Sequence, residues 1–137
     1  MLSSEEHTPR DLVRFARMGV DHGLDRIVLS DHFHPWVGEQ GESPFVWSVL
    51  GGIAAVAPEA HLGTAVTCPT IRIHPAIVAQ AAATQHLMSG GRFFLGVGSG
   101  ENLNEHVLGD RWHPTDQRLD MLEEAVEVMR ALWTGYE

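Results

Sequence analysis

The stretch Arg26-Ile27-Val28-Leu29-Ser30-Asp31-His32-Phe33-His34-Pro35-Trp36 decides how this chain is read. A short, β-rich apolar run ends in a charged Asp-His pair. Such a run is of the buried-strand type, as in a sheet covered on both faces. Upstream, Thr8-Pro9-Arg10-Asp11 reads as a helix start, with Thr8 as N-cap, Pro9 first and an acid third. Leu12, Phe15, Ala16 and Val20 follow at helical spacing, and Gly23 fits a C-terminal cap. Downstream the alternation repeats. Ser43-Pro44 predicts a capped helix from Phe45 to about Ala57, and Leu62–Thr67 reads as a strand. Pro75 opens a helix to about Met88, and Phe93–Val97 is a third strand. The last helix has Leu119, Leu122, Val126, Met129 and Trp133 on one face and ends at Gly135. Helices between strand-like runs demand parallel strands with right-handed crossovers. Runs starting near residues 26, 62 and 93 give a βα repeat that suits a TIM barrel or an open Rossmann-like sheet.

A full barrel needs eight strands and about 250 residues; this chain has 137. The barrel reading therefore makes it an N-terminal half-domain, residues 1–137, with about four βα units and most of the first strand missing. Nine basic against eighteen acidic side chains give a formal charge of −9. All nine cations are Arg, spread along the chain, which disfavours a nucleic-acid surface. No apolar run approaches the roughly 20 residues of a membrane helix. The acidic start and the single Cys68 read as a protein without a signal peptide in a reducing cytoplasm.

Three strand exits carry unusual chemistry, on the side where α/β folds place ligands. At the first, Asp31-His32 reads as an acid–base pair at the mouth, and Trp36 as a wall for a flat ligand. The plain alternative is a polar loop with a satisfied histidine. A metal reading of His32-x-His34 needs further ligands at later strand ends, and those ends offer none. At the second, Ala65-Val66-Thr67-Cys68-Pro69-Thr70 has short side chains that let a ligand approach the backbone. Cys68 has no cation beside it in sequence and reads as small and buried. At the third, Gly96-Val97-Gly98-Ser99-Gly100-Glu101 resembles the dinucleotide fingerprint only weakly. Glu101 stands where a glycine is needed, and helix signals resume only near Thr115. The alternate glycines read as backbone amides turned to a ligand, since they have little evident structural purpose in a strand exit. The other histidines read as surface or capping residues, and Trp47 and Trp133 as core.

Taken in order, four segments together resemble one family. They are Ser30-Asp31-His32-Phe33-x-Pro35-Trp36; Leu62-Gly63-Thr64-x-Val66-x-x-Pro69-Thr70; Pro75-Ala76-x-Val78-Ala79-Gln80-Ala81; and Phe94-Leu95-Gly96-Val97-Gly98-x-Gly100-Glu101-x-Leu103-Asn104-Glu105. The family is the coenzyme F420-dependent glucose-6-phosphate dehydrogenase branch of the luciferase-like superfamily. The resemblance implies a TIM barrel and a deazaflavin cofactor. It implies that His32 takes the substrate hydroxyl proton, that Trp36 shapes the site and touches substrate, and that Glu101 manages charge at the ring. Asp31, Ser99, Gly100 and Asn104 would contact or position the cofactor. Ala65-Val66 would be a non-prolyl cis peptide behind the ring, with Cys68 close by. Glu5 lies at the exit of the nearly missing first strand and is expected to reach the substrate pocket.

Cys68 departs from the family, whose glucose-6-phosphate enzymes carry Thr there. The family's sugar-phosphate clamp comes from the other half of the barrel, so the substrate is left open between a sugar phosphate and a secondary alcohol. A homodimer at full length and a small-molecule substrate are expected, and charge, run lengths and strand-end residues lead to an expectation of no nucleic acid, no membrane and no metal. Two other readings stay open: an FMN-dependent monooxygenase of the same superfamily, and a non-catalytic half-barrel that binds a ligand or partner.

Overall fold

The computed structural model describes residues 1–135. Helix α1 (Pro9–Asp21) starts where capping chemistry demands: Thr8 Oγ1 accepts from the Asp11 backbone N–H at 3.2 Å, and Pro9 is the first helical residue. It ends at His22, followed by Gly23 in the left-handed region at φ 93°. There follow β1 (Arg26–Leu29), α2 (Val46–Val56), β2 (His61–Thr67), α3 (Pro75–Met88) and β3 (Phe93–Val97). The chain then forms α4 (Asn102–Glu105), a 3-10 turn (His106–Leu108) and α5 (Thr115–Thr134). The strands form one parallel sheet in chain order, with Ile27 opposite Leu62 and Leu62 opposite Phe93. Beyond β1, the Leu2 N–H donates to the Val28 carbonyl at 2.8 Å in an isolated parallel bridge. That is the trace of the strand expected at the N-terminus.

The core lies between the sheet and the first three helices. Ile27 and Leu29 of β1 and Leu62 of β2 pack with Leu12, Leu50, Ile53 and Val78, all buried. Each such side chain contributes roughly 1.5–3 kcal/mol by leaving water. β3 is the edge strand, and Phe94 is 41% exposed there. On α5 only Ala125 and Met129 are fully buried, while Leu119 and Trp133 are about half exposed. The apolar face expected for this helix is present but only partly covered, because the edge strand offers it too little sheet to pack on. Trp133, expected in the core, instead anchors its ring by donating from Nε1 to the Ala79 carbonyl at 3.0 Å.

Two local expectations are corrected. Helix α2 begins at Val46, with Phe45 at the cap position and no side-chain cap. Ser43 is therefore not its N-cap; its hydroxyl donates to the His32 carbonyl at 2.7 Å and pins the loop after β1. Helical structure also resumes well before Thr115, with α4 starting directly after the glycines and Glu101 at its N-cap position.

The alternate glycines have a structural purpose that the sequence reading denied them. β2 is irregular between Thr64 and Thr67, and the Ala65–Val66 peptide is cis, as the resemblance implied. β3 runs close against that irregularity. A Cβ on Gly96 would collide with the Thr64 carbonyl oxygen, and one on Gly98 would lie 2.8 Å from the Val66 side chain. Gly100 is left-handed at φ 75°, and a Cβ there would lie 2.7 Å from Cys68 Sγ. Because the collision at Gly96 is with backbone, no rotamer relieves it. Gly96→Ala is expected to cost about 3 kcal/mol, at the upper end for overpacking. Urea unfolding should show this as a lower midpoint with an unchanged slope.

Candidate active site

The site is built at the C-terminal ends of the three strands. Glu5 follows the Leu2 bridge and is 2% exposed. Its carboxylate accepts from Ser3 Oγ at 2.6 Å, from Ser4 Oγ at 3.1 Å and from Ser30 Oγ at 2.9 Å. Burial alone would raise its pKa, but the hydroxyl hydrogen bonds from Ser3 and Ser30 and the neighbouring His32 outweigh burial and hold it below the ordinary value. Glu5 Oε1 lies 2.6 Å from His32 Nδ1. Nδ1 has no aligned hydrogen-bond partner, so this is a close polar contact and not a hydrogen bond. Glu5 was expected in the substrate pocket; it stands behind His32 instead, where its surrounding hydroxyls have withdrawn it from solvent. The signal that pointed here was the place of Glu5 at the exit of the nearly missing first strand.

His32 presents its other nitrogen forward. Nε2 is 3.6 Å from Glu101 Oε1, too far for a hydrogen bond and too near for a ring to stand between them. A flat ring and a substrate therefore do not fit between these two side chains, and any ring must lie beside the pair. Trp36 is 54% exposed and meets the His32 ring edge-on at 5.2 Å. His34 does not join His32; it stacks on His106 at 5.6 Å.

The second and third exits close the cleft. Val66, beyond the cis peptide, is 46% exposed, whereas Cys68 is buried and burial pushes its thiol up. Gly98, Ser99 and Gly100 line the cleft with Val66, Trp36 and His32, around a volume of about 290 Å³. Asn104, expected to contact or position a cofactor, is 2% exposed and is spent inside the protein. Its Oδ1 accepts from the backbone N–H of Phe33 at 2.7 Å and of His34 at 2.9 Å, and its Nδ2 donates to Glu101 Oε1 at 2.5 Å. It clamps the His32 loop to Glu101, so positioning is its part. Asp31 is also buried, its carboxylate taken up by Thr67 Oγ1 at 2.7 Å and Arg72 Nη2 at 2.8 Å. Arg72 escaped the sequence reading; a lone cation between Ile71 and Ile73 was the available signal. Glu105 lies under the same guanidinium. Burial raises its pKa, and Arg72 only partly offsets that.

The profile of the family described as luciferase-like monooxygenase matches residues 1–137. The chain belongs to the luciferase-like family. Among its relatives within that family, an F420-dependent glucose-6-phosphate dehydrogenase of Nocardia farcinica is 44% identical over 97% of this chain and 40% of its own. One of Mycobacterium avium is 43% identical over similar shares. The luciferase-like chain thus spans about 40% of the length of these relatives. A solved F420-dependent secondary alcohol dehydrogenase, in complex with an F420–acetone adduct, superposes with TM-score 0.92 at 39% identity, over 96% of this chain and 40% of its own. An FMN-bound type II Baeyer–Villiger monooxygenase from Pseudomonas putida superposes with TM-score 0.77 at 21% identity, a likeness of fold alone. The α/β architecture is thereby a partial TIM barrel. Among the described residues no helix is long and apolar enough to cross a membrane.

The buried acids make opposite contributions to acid stability. Glu5 has its folded value below 4.5, so its stabilisation is present above that pH and is lost as pH falls through the folded value. Glu105 has its folded value above 4.5, so its contribution is full below 4.5 and shrinks as pH rises through the folded value. Urea midpoints followed from about pH 7 to about pH 3 should drop on the acid side, and Glu5→Gln should flatten that drop.

Proposed function

We propose that this chain supplies the proton-handling part of an F420-dependent dehydrogenase barrel that oxidises a hydroxyl-bearing small molecule. The whole barrel would be about two and a half times longer, since this chain spans 40% of its relatives. One observation carries the reading: His32 is backed by a buried, ionised Glu5 and turns Nε2 into a cleft that also holds Glu101. An exposed histidine without that backing would be an ordinary loop residue.

The residues fit a flat heteroaromatic ring on this chain's own terms. Val66 and Trp36 offer half-exposed apolar surface, and Gly98 and Gly100, where an added Cβ would be crowded by Val66 and Cys68, leave backbone open. The cleft volume lies at the low end for ligand pockets, enough for a ring's edge against these residues and not for a whole cofactor. A deazaflavin, when bound, supplies two-electron hydride acceptance. Val66, Ser99 and Gly100 would hold it, while Asp31 and Asn104 position those walls from beneath.

The chain's own work is the proton. Oxidising an alcohol releases a proton from oxygen as hydride leaves carbon. A neutral His32 accepts that proton at Nε2. Glu5, 2.6 Å from Nδ1, stabilises the imidazolium that forms. Glu101, held by Asn104, adds a carboxylate on the cleft side that also favours imidazolium. Trp36 packs edge-on against the imidazole and shields it from bulk water, where a positioned base loses its advantage. The substrate is a secondary alcohol or a sugar phosphate. A phosphate-binding cluster of cations is not found at this cleft among the described residues, so an anionic substrate needs cations from elsewhere in the barrel.

In the full-length protein, His32→Ala should reduce turnover by ~10²–10⁴, with cofactor affinity much less affected. Steady-state kinetics with F420, paired with titration of F420 and FMN, checks this. Stronger FMN binding with oxygen-dependent turnover makes it a monooxygenase; binding of neither makes it a non-catalytic module. The 137-residue chain by itself should show no dehydrogenase turnover.

A further inference from the structure

Arg72 is not part of the cleft lining, yet it holds both of its walls. Its side chain is 8% exposed. Nη2 donates to Asp31 Oδ1 at 2.8 Å and to the Asp31 carbonyl at 3.2 Å, the carbonyl of the peptide that leads into His32. The Arg72 backbone N–H donates to Glu105 Oε2 at 2.9 Å, and Nε lies 3.8 Å from Glu105 Oε1. Glu105 belongs to α4, the short helix with Glu101 at its N-cap position. Thr67 Oγ1 holds the remaining Asp31 oxygen, so Asp31 cannot turn without breaking one contact or the other. One residue on the β2–α3 connection is thus bonded to the exits of both β1 and β3.

We propose that Arg72 is a positioning residue that sets the spacing of His32 and Glu101, acting through Asp31 and Glu105. The inference builds on the reading of His32 as the base. A buried ion pair is a poor source of net stability, because desolvation cancels much of the attraction. One guanidinium among two carboxylates has a geometric use instead. The planar guanidinium lays Nη2 on the Asp31 carboxylate and carbonyl while Nε faces Glu105, and a single ammonium on a flexible stem cannot stand at both places. Asn104 joins the two walls on the cleft side, by contacts to Phe33, His34 and Glu101. Arg72 joins them from below. The two clamps brace the walls that carry His32 and Glu101, which stand 3.6 Å apart.

The test is a double-mutant cycle read at His32 by NMR of the histidine-labelled full-length protein, with the signal assigned by its loss in His32→Gln. Arg72→Lys keeps the charge and loses the fork. It should lower the pH at which His32 titrates by about half a unit, because Glu101 drifts from the imidazolium. In a Glu101→Gln background the same Arg72→Lys change should do nothing. If Arg72 serves only to balance charge, Arg72→Lys leaves His32 unmoved in both backgrounds. If it serves only general stability, the shift persists with Glu101 replaced. Either result overturns the proposal. Should Arg72→Lys fail to fold, the unaltered protein decides. A locked guanidinium gives separate, slowly exchanging Nη signals for Arg72, and averaged signals overturn the proposal. These readouts involve no cofactor, so failed F420 binding would sink the dehydrogenase reading and leave this one standing.

Discussion

The close approach of β3 to the irregular end of β2 is the constraint on which the site depends. β2 is the central strand, and its ladder with β3 breaks between Thr64 and Thr67 around the cis Ala65–Val66 peptide. Thr64 Oγ1 donates to the Gly96 carbonyl at 3.0 Å across the gap, and the Gly98 N–H donates to the Thr67 carbonyl at 3.0 Å beyond it. These bonds form only because Gly96 and Gly98 carry no Cβ. Once β3 is seated, Gly100 turns the chain into α4, and Glu101 arrives opposite His32. Val66 is left projecting into the cleft as one consequence of the same backbone path.

Beneath that backbone lies a layer of buried charge that is costly by itself. Glu5, Asp31 and Glu105 are each under 5% exposed. Each is kept by a different set of partners: three serine hydroxyls for Glu5, Thr67 and Arg72 for Asp31, the Arg72 backbone and guanidinium for Glu105. Where hydroxyl donors dominate, the carboxylate stays ionised; where burial dominates, the carboxyl resists ionisation. Carboxylates of one chemical type thereby acquire different characters within one small region. The acid that stands at His32 Nδ1 is the one surrounded by hydroxyls.

The site thus has two tiers. Exposed Val66 and Trp36, with half-covered His32 and Glu101, face the cleft. The second tier is buried: Asp31 and Asn104 reach the cleft lining, and Glu5 and Arg72 lie behind it. The second tier makes its contacts across long stretches of sequence, such as Asn104 to Phe33 and Arg72 to Asp31. Catalytic geometry of this kind is sensitive to ångström displacements, which gives buried polar residues a purpose that stability does not.

The alternation of helices and strands was legible in the sequence because each signal is local. Thr8-Pro9 starts α1, Gly23 and Gly135 follow helix ends, and apolar runs at 26, 62 and 93 are strands. His32, Trp36 and Glu101 could be singled out for the same reason: charged or aromatic residues stand directly at strand exits. What the sequence could not tell was which side of the site each residue serves. Glu5 read as a pocket residue and lies behind His32, and Asn104 read as a cofactor contact or support and is a clamp. Arg72 was passed over, and Ser43 read as a helix cap when it pins a loop. Each of these roles is a bond to a residue far away in sequence, formed only when parallel strands bring their exits together. Propensity and periodicity report a residue's neighbours within a few positions. The partner that decides a buried polar side chain's work is chosen by packing, so tertiary structure alone determined it.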